Sequence, residues 1–286
     1  MSAMTEHFAA GASGGVDADL TAVKVQDLVR TFTSRGETVH ALGPVSLEVE
    51  RGEFIALLGP SGCGKTTLLN VVAGLLAPSS GIVEVHGQAV AGVPDDVGMM
   101  FQRAVLLPWR TIVENVLLPI ELAEGKRAAR AATDRANELL DMVGLSGFAS
   151  RMPNELSGGM QQRAAICRML IRDPQLLLLD EPFGALDEFT REYMNVELLK
   201  ITAAVGSTAL FVTHSITEAV FMANRVVVMS ARPGRIAGVV DVDLPADRDA
   251  EIVTSEEFQT YVRRARDLLK VGHDQAAGTP SAKEAN

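Results

Sequence analysis

The sequence predicts an α/β fold with a mainly parallel sheet, and three observations lead to this expectation. Apolar runs of strand length alternate along the chain with segments whose apolar residues recur at helical spacing. Phe54–Leu58 and Leu176–Leu179 are apolar throughout, as expected of strands buried on both faces. A glycine-rich turn at residues 59–64 joins the first of these runs to a helical pattern. Strands linked through helices in this way run parallel, because each connection crosses over the sheet.

The composition restricts the classes of protein to which the chain can belong. Its 286 residues allow one large or two small domains, and 47% hydrophobic residues can form a sizeable core. A net charge of −10 disfavours nucleic acid as the main partner, because such binding depends on Lys and Arg. The two cysteines, Cys63 and Cys167, suggest no structural disulfide and fit a reducing cytosol. We expect neither a secretory signal nor a membrane span, since no apolar run reaches about 18 residues.

The N-terminal part of the chain is expected to form strands after a disordered tail. Residues 1–21 are rich in Ala, Gly and Ser, a composition typical of disorder. Apolar and polar residues alternate over Val23–Phe32 and Val45–Val49, which predicts two half-exposed strands with a hairpin turn at 35–37. Further strands are predicted at Ile82–His86 and Val97–Phe101.

Helical spacing dominates the middle of the chain, and we interpret residues 103–172 as a helical subdomain inserted into the core. Helices are predicted over 111–122 and 126–143. Ser157 is a predicted cap for a third helix that runs to about Ile171.

Strands and helices alternate again in the last part of the chain. The predicted elements are strands at 176–179, 208–213, 226–229 and 235–242, and helices at 188–204 and 216–223. These complete a predicted core domain over residues 22–245. A C-terminal helical extension over 246–271 and a disordered tail over 272–286 are predicted to follow.

The motif between the strand at 54–58 and the following helix is typical of a phosphate-binding loop. Its residues are Gly59, Pro60, Ser61, Gly62, Cys63, Gly64, Lys65, Thr66 and Thr67. Glycines let the backbone turn its N–H groups towards phosphate, and the helix start adds unpaired N–H donors. Lys65 can reach the β- and γ-phosphates of a nucleotide, and the Thr66 hydroxyl can bind Mg²⁺.

Two further motifs add to this interpretation. Asp180 and Glu181 end an apolar strand, where Asp180 could hold Mg²⁺ and Glu181 could deprotonate an attacking water. Ser157, Gly158 and Gly159 open a helix and offer a second anion site. Two anion sites in one chain suggest that two copies face each other, each completing the other's site.

The order of these motifs resembles the ATP-binding subunit of ABC transporters over roughly residues 22–245. The resemblance implies a P-loop NTPase core with an antiparallel β subdomain and the inserted helical subdomain. It implies ATP and Mg²⁺ as cofactors. It also implies roles for Gln102 as the Q-loop residue and Mg²⁺ contact, Ala185–Asp187 as the D-loop, and His214 as the switch histidine. Phe32 is a candidate for stacking on adenine, although an aromatic residue in this strand could equally belong to the core.

Two positions depart from the family pattern. Met160 stands where many members have Gln, and Ser215 stands where many importers have Asp. Neither departure removes a group needed for hydrolysis, so Lys65, Glu181 and His214 remain the predicted catalytic residues.

The segment around Trp109 is similar to importers of the nitrate, sulfonate, taurine and bicarbonate group, as is the stretch 229–236. The resemblance implies a homodimer on the cytoplasmic face of the inner membrane, working with permease subunits and indirectly with a substrate-binding protein. Trp109 itself suits either an interface with the permease or packing inside the helical subdomain.

Three alternatives remain at this point. The cargo could be another small nutrient, such as a thiamine precursor. The chain could be an ABC-type ATPase that acts on DNA or ribosomes, although the chain contains only one set of ATPase motifs and has a net negative charge. It could also bind nucleotide without hydrolysing it, which phosphate release would distinguish.

Overall fold

The computed structural model describes residues 20–34 and 36–277, which form two sheets and a set of helices around them. The strands are β1 (Thr21–Ser34), β2 (Glu37–Glu50), β3 (Phe54–Leu58), β4 (Ser80–Val85), β5 (Gln88–Ala89), β6 (Val97–Met100), β7 (Leu176–Asp180), β8 (Thr208–Thr213), β9 (Arg225–Met229) and β10 (Ile236–Asp241). The α-helices are α1 (Lys65–Val72), α2 (Ile112–Glu124), α3 (Lys126–Ala131), α4 (Thr133–Met142), α5 (Gly158–Leu170), α6 (Glu188–Val205), α7 (Ile216–Met222) and α8 (Glu256–Ala277).

The larger sheet has six strands in the order β10-β9-β3-β8-β7-β6. Its five strands β9, β3, β8, β7 and β6 are parallel, and β10 pairs antiparallel to β9. All residues of β3, β7 and β8 are buried, which is why these strands are mostly apolar, with polar residues only at the ends of β7 and β8. The predicted mainly parallel sheet is therefore confirmed, and the parallel strands all end at one edge.

The smaller sheet is antiparallel and has the order β2-β1-β4-β5. β1 and β2 pair as a long hairpin as far as Ser34 and Glu37, as the alternating pattern predicts. Arg35 of the predicted turn lies outside the described residues. The short strand β5, which pairs with β4, was not predicted because two residues carry no periodic signal.

The hydrophobic core lies on both faces of the larger sheet. Alternate residues of β3 show this, because Ile55 and Leu57 pack towards α1 and the smaller sheet. Ala56 and Leu58 pack on the opposite face, towards the helical layer that includes α2, α5, α7 and α8. The parallel sheet is thus covered on both faces. The C-terminal ends of its parallel strands are left open to the loops that follow them.

Two of the predicted helices differ from the structure in their extent by more than two residues. The predicted helix over 126–143 is interrupted at Ala132, between α3 and α4. The Thr133 hydroxyl donates to the Arg130 carbonyl at 2.8 Å, a local bond by which a hydroxyl competes with the helical backbone pattern. The C-terminal helix continues to Ala277, past the predicted boundary at 271, and β1 begins at Thr21, within the predicted N-terminal tail. Residues 1–19 and 278–286 of the tails predicted over 1–21 and 272–286 lie outside the described residues.

One buried cation holds the end of α7 in place. Arg248 is 5% exposed, and its guanidinium donates to the carbonyls of Val220, Phe221 and Ala223 at 3.3, 2.6 and 3.1 Å. These are the last carbonyls of the helix, which carry a partial negative charge and lack partners within it. Burial lowers the pKa of Arg248. Arg248 therefore acts as a C-terminal cap supplied from a distant part of the sequence.

The described residues, 20–34 and 36–277, contain no helix that combines the length and the apolar character needed to cross a bilayer.

Candidate functional site

The predicted site residues gather at the carboxyl edge of the parallel sheet. The phosphate loop follows β3, Asp180 ends β7, and His214 follows β8. Gln102 follows β6 in the same way. A pocket at this edge is lined by Phe32, Val39, Ala41, Ser61, Gly62, Gly64, Lys65, Thr66, Thr67, Gln102, Glu181 and Arg232. Ligands of open α/β folds bind at this edge because loops from several strands meet there.

The glycines of the loop fit the conformation that phosphate binding requires. Gly62 and Gly64 have φ of +75° and +101°, a region in which side chains are strained. A Cβ on Gly64 would also lie 2.6 Å from Leu42 Cδ2 and 2.8 Å from the Ala41 carbonyl oxygen. The loop therefore needs glycine at this point both for its backbone angle and for its contact with β2.

Lys65 is folded back onto the loop that carries it. Its ammonium donates to the carbonyls of Gly59 and Pro60 at 2.7 and 3.0 Å, and the residue is 5% exposed. Burial raises the pKa of the neighbouring Cys63 thiol, and the Lys65 charge partly opposes this shift. A buried cation held by carbonyl oxygens is stabilised in place, yet these neutral acceptors leave its full charge available to an anion.

Thr66 and Asp180 are brought together although they are far apart in the sequence. The Thr66 hydroxyl donates to Asp180 Oδ1 at 3.0 Å, and Asp180 is 6% exposed. Burial raises the pKa of Asp180, whereas the bond from Thr66 lowers it. A hydroxyl and a carboxylate at this distance form a pair of hard oxygen donors of the kind that Mg²⁺ binds.

Glu181 contacts Gln102 and His214, two further residues predicted to belong to the site. Its carboxylate accepts from Gln102 Nε2 at 3.2 Å, and its other oxygen lies 3.2 Å from Nδ1 of His214. The His214 side chain is 65% exposed, so it stands at the mouth of the site. Glu181 also has φ of +46°, an unusual backbone angle for a residue other than glycine. Such strain often marks functional positions.

Phe32 lies in the lining of the pocket and is 38% exposed, so it does not belong to the core. The guanidinium of Arg30 lies 4.6 Å from the centre of its ring. One face of the ring is therefore engaged in a cation–π contact, which orients the ring.

Four other residues singled out in the sequence lie away from this pocket. Ser157 caps α5 by accepting from the Met160 N–H at 3.3 Å, as predicted, while Gly158 and Gly159 lie at the exposed start of that helix. None of the three lines the pocket described above. Trp109 is 70% exposed, which excludes packing inside the helical subdomain within a single chain.

The sequence analysis missed the side chains that tie the site loops to their surroundings. Arg168 of α5 donates to the carbonyls of Ala104 and Val105 at 2.8 Å each, which fixes the segment after Gln102. Gln162 of the same helix is buried, and its amide lies 3.5 Å from the Gln102 carbonyl. Helical spacing assigned both residues to a helix, but it carries no information about contacts across about sixty residues of chain.

A second set of contacts joins the D-loop to the segment of the switch histidine. Arg191 donates to the Leu186 carbonyl at 2.9 Å, and its Nε lies 3.5 Å from the Glu218 carboxylate. Thr213 donates to the other Glu218 oxygen at 2.6 Å and accepts from the Ser215 N–H at 3.0 Å. The backbone on both sides of His214 is thereby connected to the residue that precedes Asp187.

Comparison with known proteins identifies the family to which most of the chain is similar. The family model described as ABC transporter matches residues 42–184. The aliphatic sulfonates import ATP-binding protein SsuB of Bacillus cereus is 41% identical over 87% of this chain and 96% of its own length. The taurine import ATP-binding protein TauB of Rhizobium johnstonii is 47% identical over 77% of this chain and 84% of its own length.

A solved structure agrees in fold. It is the dimeric post-hydrolysis state of the ATP-binding cassette MJ0796 bound to ADP and Pi, with 32% identity and a TM-score of 0.69 over 78% of this chain and 100% of that one. The agreement confirms the predicted ABC ATPase fold. The phosphate loop, the acid pair at the end of β7 and these matches together show that the chain belongs to the ABC transporter family, as one of its ATP-binding, ATP-hydrolysing subunits.

Proposed function

We propose that this chain powers the import of a small nutrient anion, such as an alkanesulfonate, taurine or nitrate, through a membrane permease. The observation that carries the proposal is the arrangement of Lys65, Thr66, Asp180, Glu181 and His214 around one edge of the sheet. The cargo class rests on the names of the relatives, which import sulfonates and taurine. The cargo itself does not touch this subunit in the mechanism that we propose.

The phosphate loop binds the phosphates of ATP in this mechanism. Backbone N–H groups of residues 62–67 and the positive end of α1 face the phosphate chain. Lys65 exchanges its contacts with the Gly59 and Pro60 carbonyls for the β- and γ-phosphates. Because its charge is already desolvated in the loop, little further desolvation accompanies this exchange.

Thr66, Asp180 and Gln102 are the residues that would hold Mg²⁺. The hydroxyl and carboxylate oxygens lie 3.0 Å apart, and phosphate oxygens of ATP would supply further ligands. When bound there, Mg²⁺ would neutralise charge on the phosphates of the nucleotide. Among the described residues no cluster of three or more His, Cys, Asp and Glu side chains could hold a metal ion.

Glu181 accepts the proton of the attacking water, and His214 positions the γ-phosphate. Both roles require the two side chains to exchange their mutual contact for contacts with water and phosphate. Most of the rate enhancement then comes from positioning and charge neutralisation.

A head-to-tail homodimer would complete the site. Ser157, Gly158 and Gly159 lie outside the pocket of their own chain, and the start of α5 is free to meet the γ-phosphate held by a second copy. Permease subunits would contact the exposed surface around Trp109, and the dimer would then lie on the cytoplasmic face of the inner membrane. A substrate-binding protein would deliver the cargo on the opposite side.

A growth experiment tests this proposal. In a strain whose native copy carries Lys65→Ala, we expect loss of growth on taurine or another alkanesulfonate as the only sulfur source, or on nitrate as the only nitrogen source. Lys126→Ala, which changes an exposed lysine at the start of α3, is the matched control. Normal growth of the Lys65→Ala strain on all of these sources would contradict the cargo class and favour another nutrient, such as a thiamine precursor. Absence of phosphate release by the purified native protein would contradict hydrolysis itself.

A second prediction concerns adenine. Replacement of Phe32 by Ala should weaken ATP binding about tenfold, since stacking on an aromatic ring contributes about 1–3 kcal/mol per base. Phe32→Tyr should keep the affinity, because the ring and its contact with Arg30 remain. Equilibrium titration with ATP and with inorganic triphosphate checks the assignment, since triphosphate should bind both variants like the wild type. Unchanged ATP affinity of Phe32→Ala would contradict stacking.

A further inference from the structure

The turn between β9 and β10 packs against the phosphate loop. A Cβ on Gly234 would lie 1.9 Å from the Cys63 carbonyl oxygen, so the two backbones touch there. Gly234 also donates to the Ala41 carbonyl and accepts from the Gly43 N–H, each at 3.0 Å. Backbone contacts at Gly234 therefore hold residues 230–235 beside the loop.

Arg232 extends from this turn into the pocket. Its Nε donates to the Gly62 carbonyl at 2.9 Å, and Nη2 lies 3.0 Å from the position of a Cβ on Gly62. The side chain lines the same pocket as Phe32, Lys65 and Thr66. Contact with Gly62 places the guanidinium directly on the loop that wraps the phosphates.

The positive charge of Arg232 suits the binding of an anion in this pocket. Lys65 and Arg232 are the two cationic side chains in the lining of the pocket. A guanidinium has five N–H donors in a planar fork that suits phosphate oxygens, and one of them reaches the Gly62 carbonyl. The remaining donors can pair with an anion while this bond is kept.

We propose that Arg232 is a nucleotide-binding residue that contacts the phosphate chain of ATP beside Lys65. This inference rests on the proposed binding of ATP in the pocket and assigns a residue outside the motifs from which that function follows. The turn is held by Gly234 and by the Ser230 N–H, which donates to the Arg235 carbonyl at 2.9 Å. The Arg232 side chain is therefore available for binding, since the turn is already fixed without it.

Titration of ATP, ADP and AMP into the full chain tests this inference. Arg232→Ala should weaken ATP binding by about 10-fold or more, as expected for the loss of a charged hydrogen bond. The effect should be smaller for ADP and smallest for AMP, because it follows the number of phosphates. Arg232→Lys should recover part of the ATP affinity. Arg235→Ala, an exposed arginine in the same turn, should bind all three nucleotides like the wild type.

The outcomes separate the inference from the function on which it rests. Equal ATP affinity of Arg232→Ala and the wild type, or an equal loss for ATP and AMP, would overturn the role of Arg232 at the phosphates. Failure of the wild type to bind ATP would instead contradict the proposed function. If Arg232→Ala does not fold, Arg232→Gln keeps a donor for Gly62 without the charge. The same graded loss in this variant supports the proposal, and its absence overturns it.

Discussion

Glu181→Gln is expected to lower ATP turnover by about 100- to 10,000-fold, the usual contribution of a general base. Gln has the shape of Glu and can still accept from Gln102, but it cannot take a proton from water. ATP binding should remain, because Lys65 and the loop amides are unchanged. We therefore expect the variant to accumulate as an ATP-bound dimer, and phosphate release together with size-exclusion chromatography in ATP would measure both effects.

The control for this experiment is Glu192→Gln, which neutralises an exposed acid on α6 and should leave turnover unchanged. Normal turnover of Glu181→Gln would show that another group accepts the proton. The assignment of Glu181 as the base would then be wrong even if ATP still binds.

Arg248→Met should lower the free energy of unfolding by about 2–4 kcal/mol, more than any other substitution that we propose, because several buried carbonyls would lose their hydrogen-bond donor. The guanidinium also donates to the carbonyls of Pro245 and Leu244, at 2.8 and 3.4 Å. Met keeps most of the apolar volume but supplies no hydrogen bond. Urea unfolding monitored by circular dichroism would measure the change in the free energy of unfolding.

Arg266→Met is the matched control, since Arg266 is exposed on α8 and its replacement should change stability by less than about 0.5 kcal/mol. Equal stability of Arg248→Met and the wild type would contradict the role of Arg248 as the cap of α7. ATP turnover of the Arg248 variant at a temperature where it is folded would show whether the position of α7 also affects His214.

Elements with a strong local signal were predicted well from the sequence. β3 and β8 have the predicted bounds, because a strand buried on both faces is marked by a mostly apolar run of strand length. The cap of α5 by Ser157 was likewise predictable, since a hydroxyl before a helix satisfies a backbone N–H. The break at Ala132 was not predictable from periodicity, because apolar residues keep helical spacing on both sides of it.

The candidate site shows the same division. Short motifs, in which the residue types and their spacing already indicate phosphate and metal binding, are enough to find Lys65, Thr66, Asp180 and Glu181. Arg232 is not found in this way, because its contact with Gly62 joins residues 170 positions apart in the chain. The pairing of β9 with β3 and the contacts of Gly234 with Cys63 and Ala41 bring the two together. The bonds of Lys65 to its own loop also have no signature in the sequence.

The cap that Arg248 supplies to α7 has a consequence for any shortened form of the protein. The core domain predicted from the sequence ends at residue 245, yet Phe258, Val262 and Ala265 of α8 are buried in the main core. A fragment that stopped at 245 would lose Arg248 and expose the surface beneath α8, next to the helix that follows His214. We therefore expect a stable shortened form of this ATPase to need α8, and a fusion partner or affinity tag to be tolerated better beyond that helix than before it.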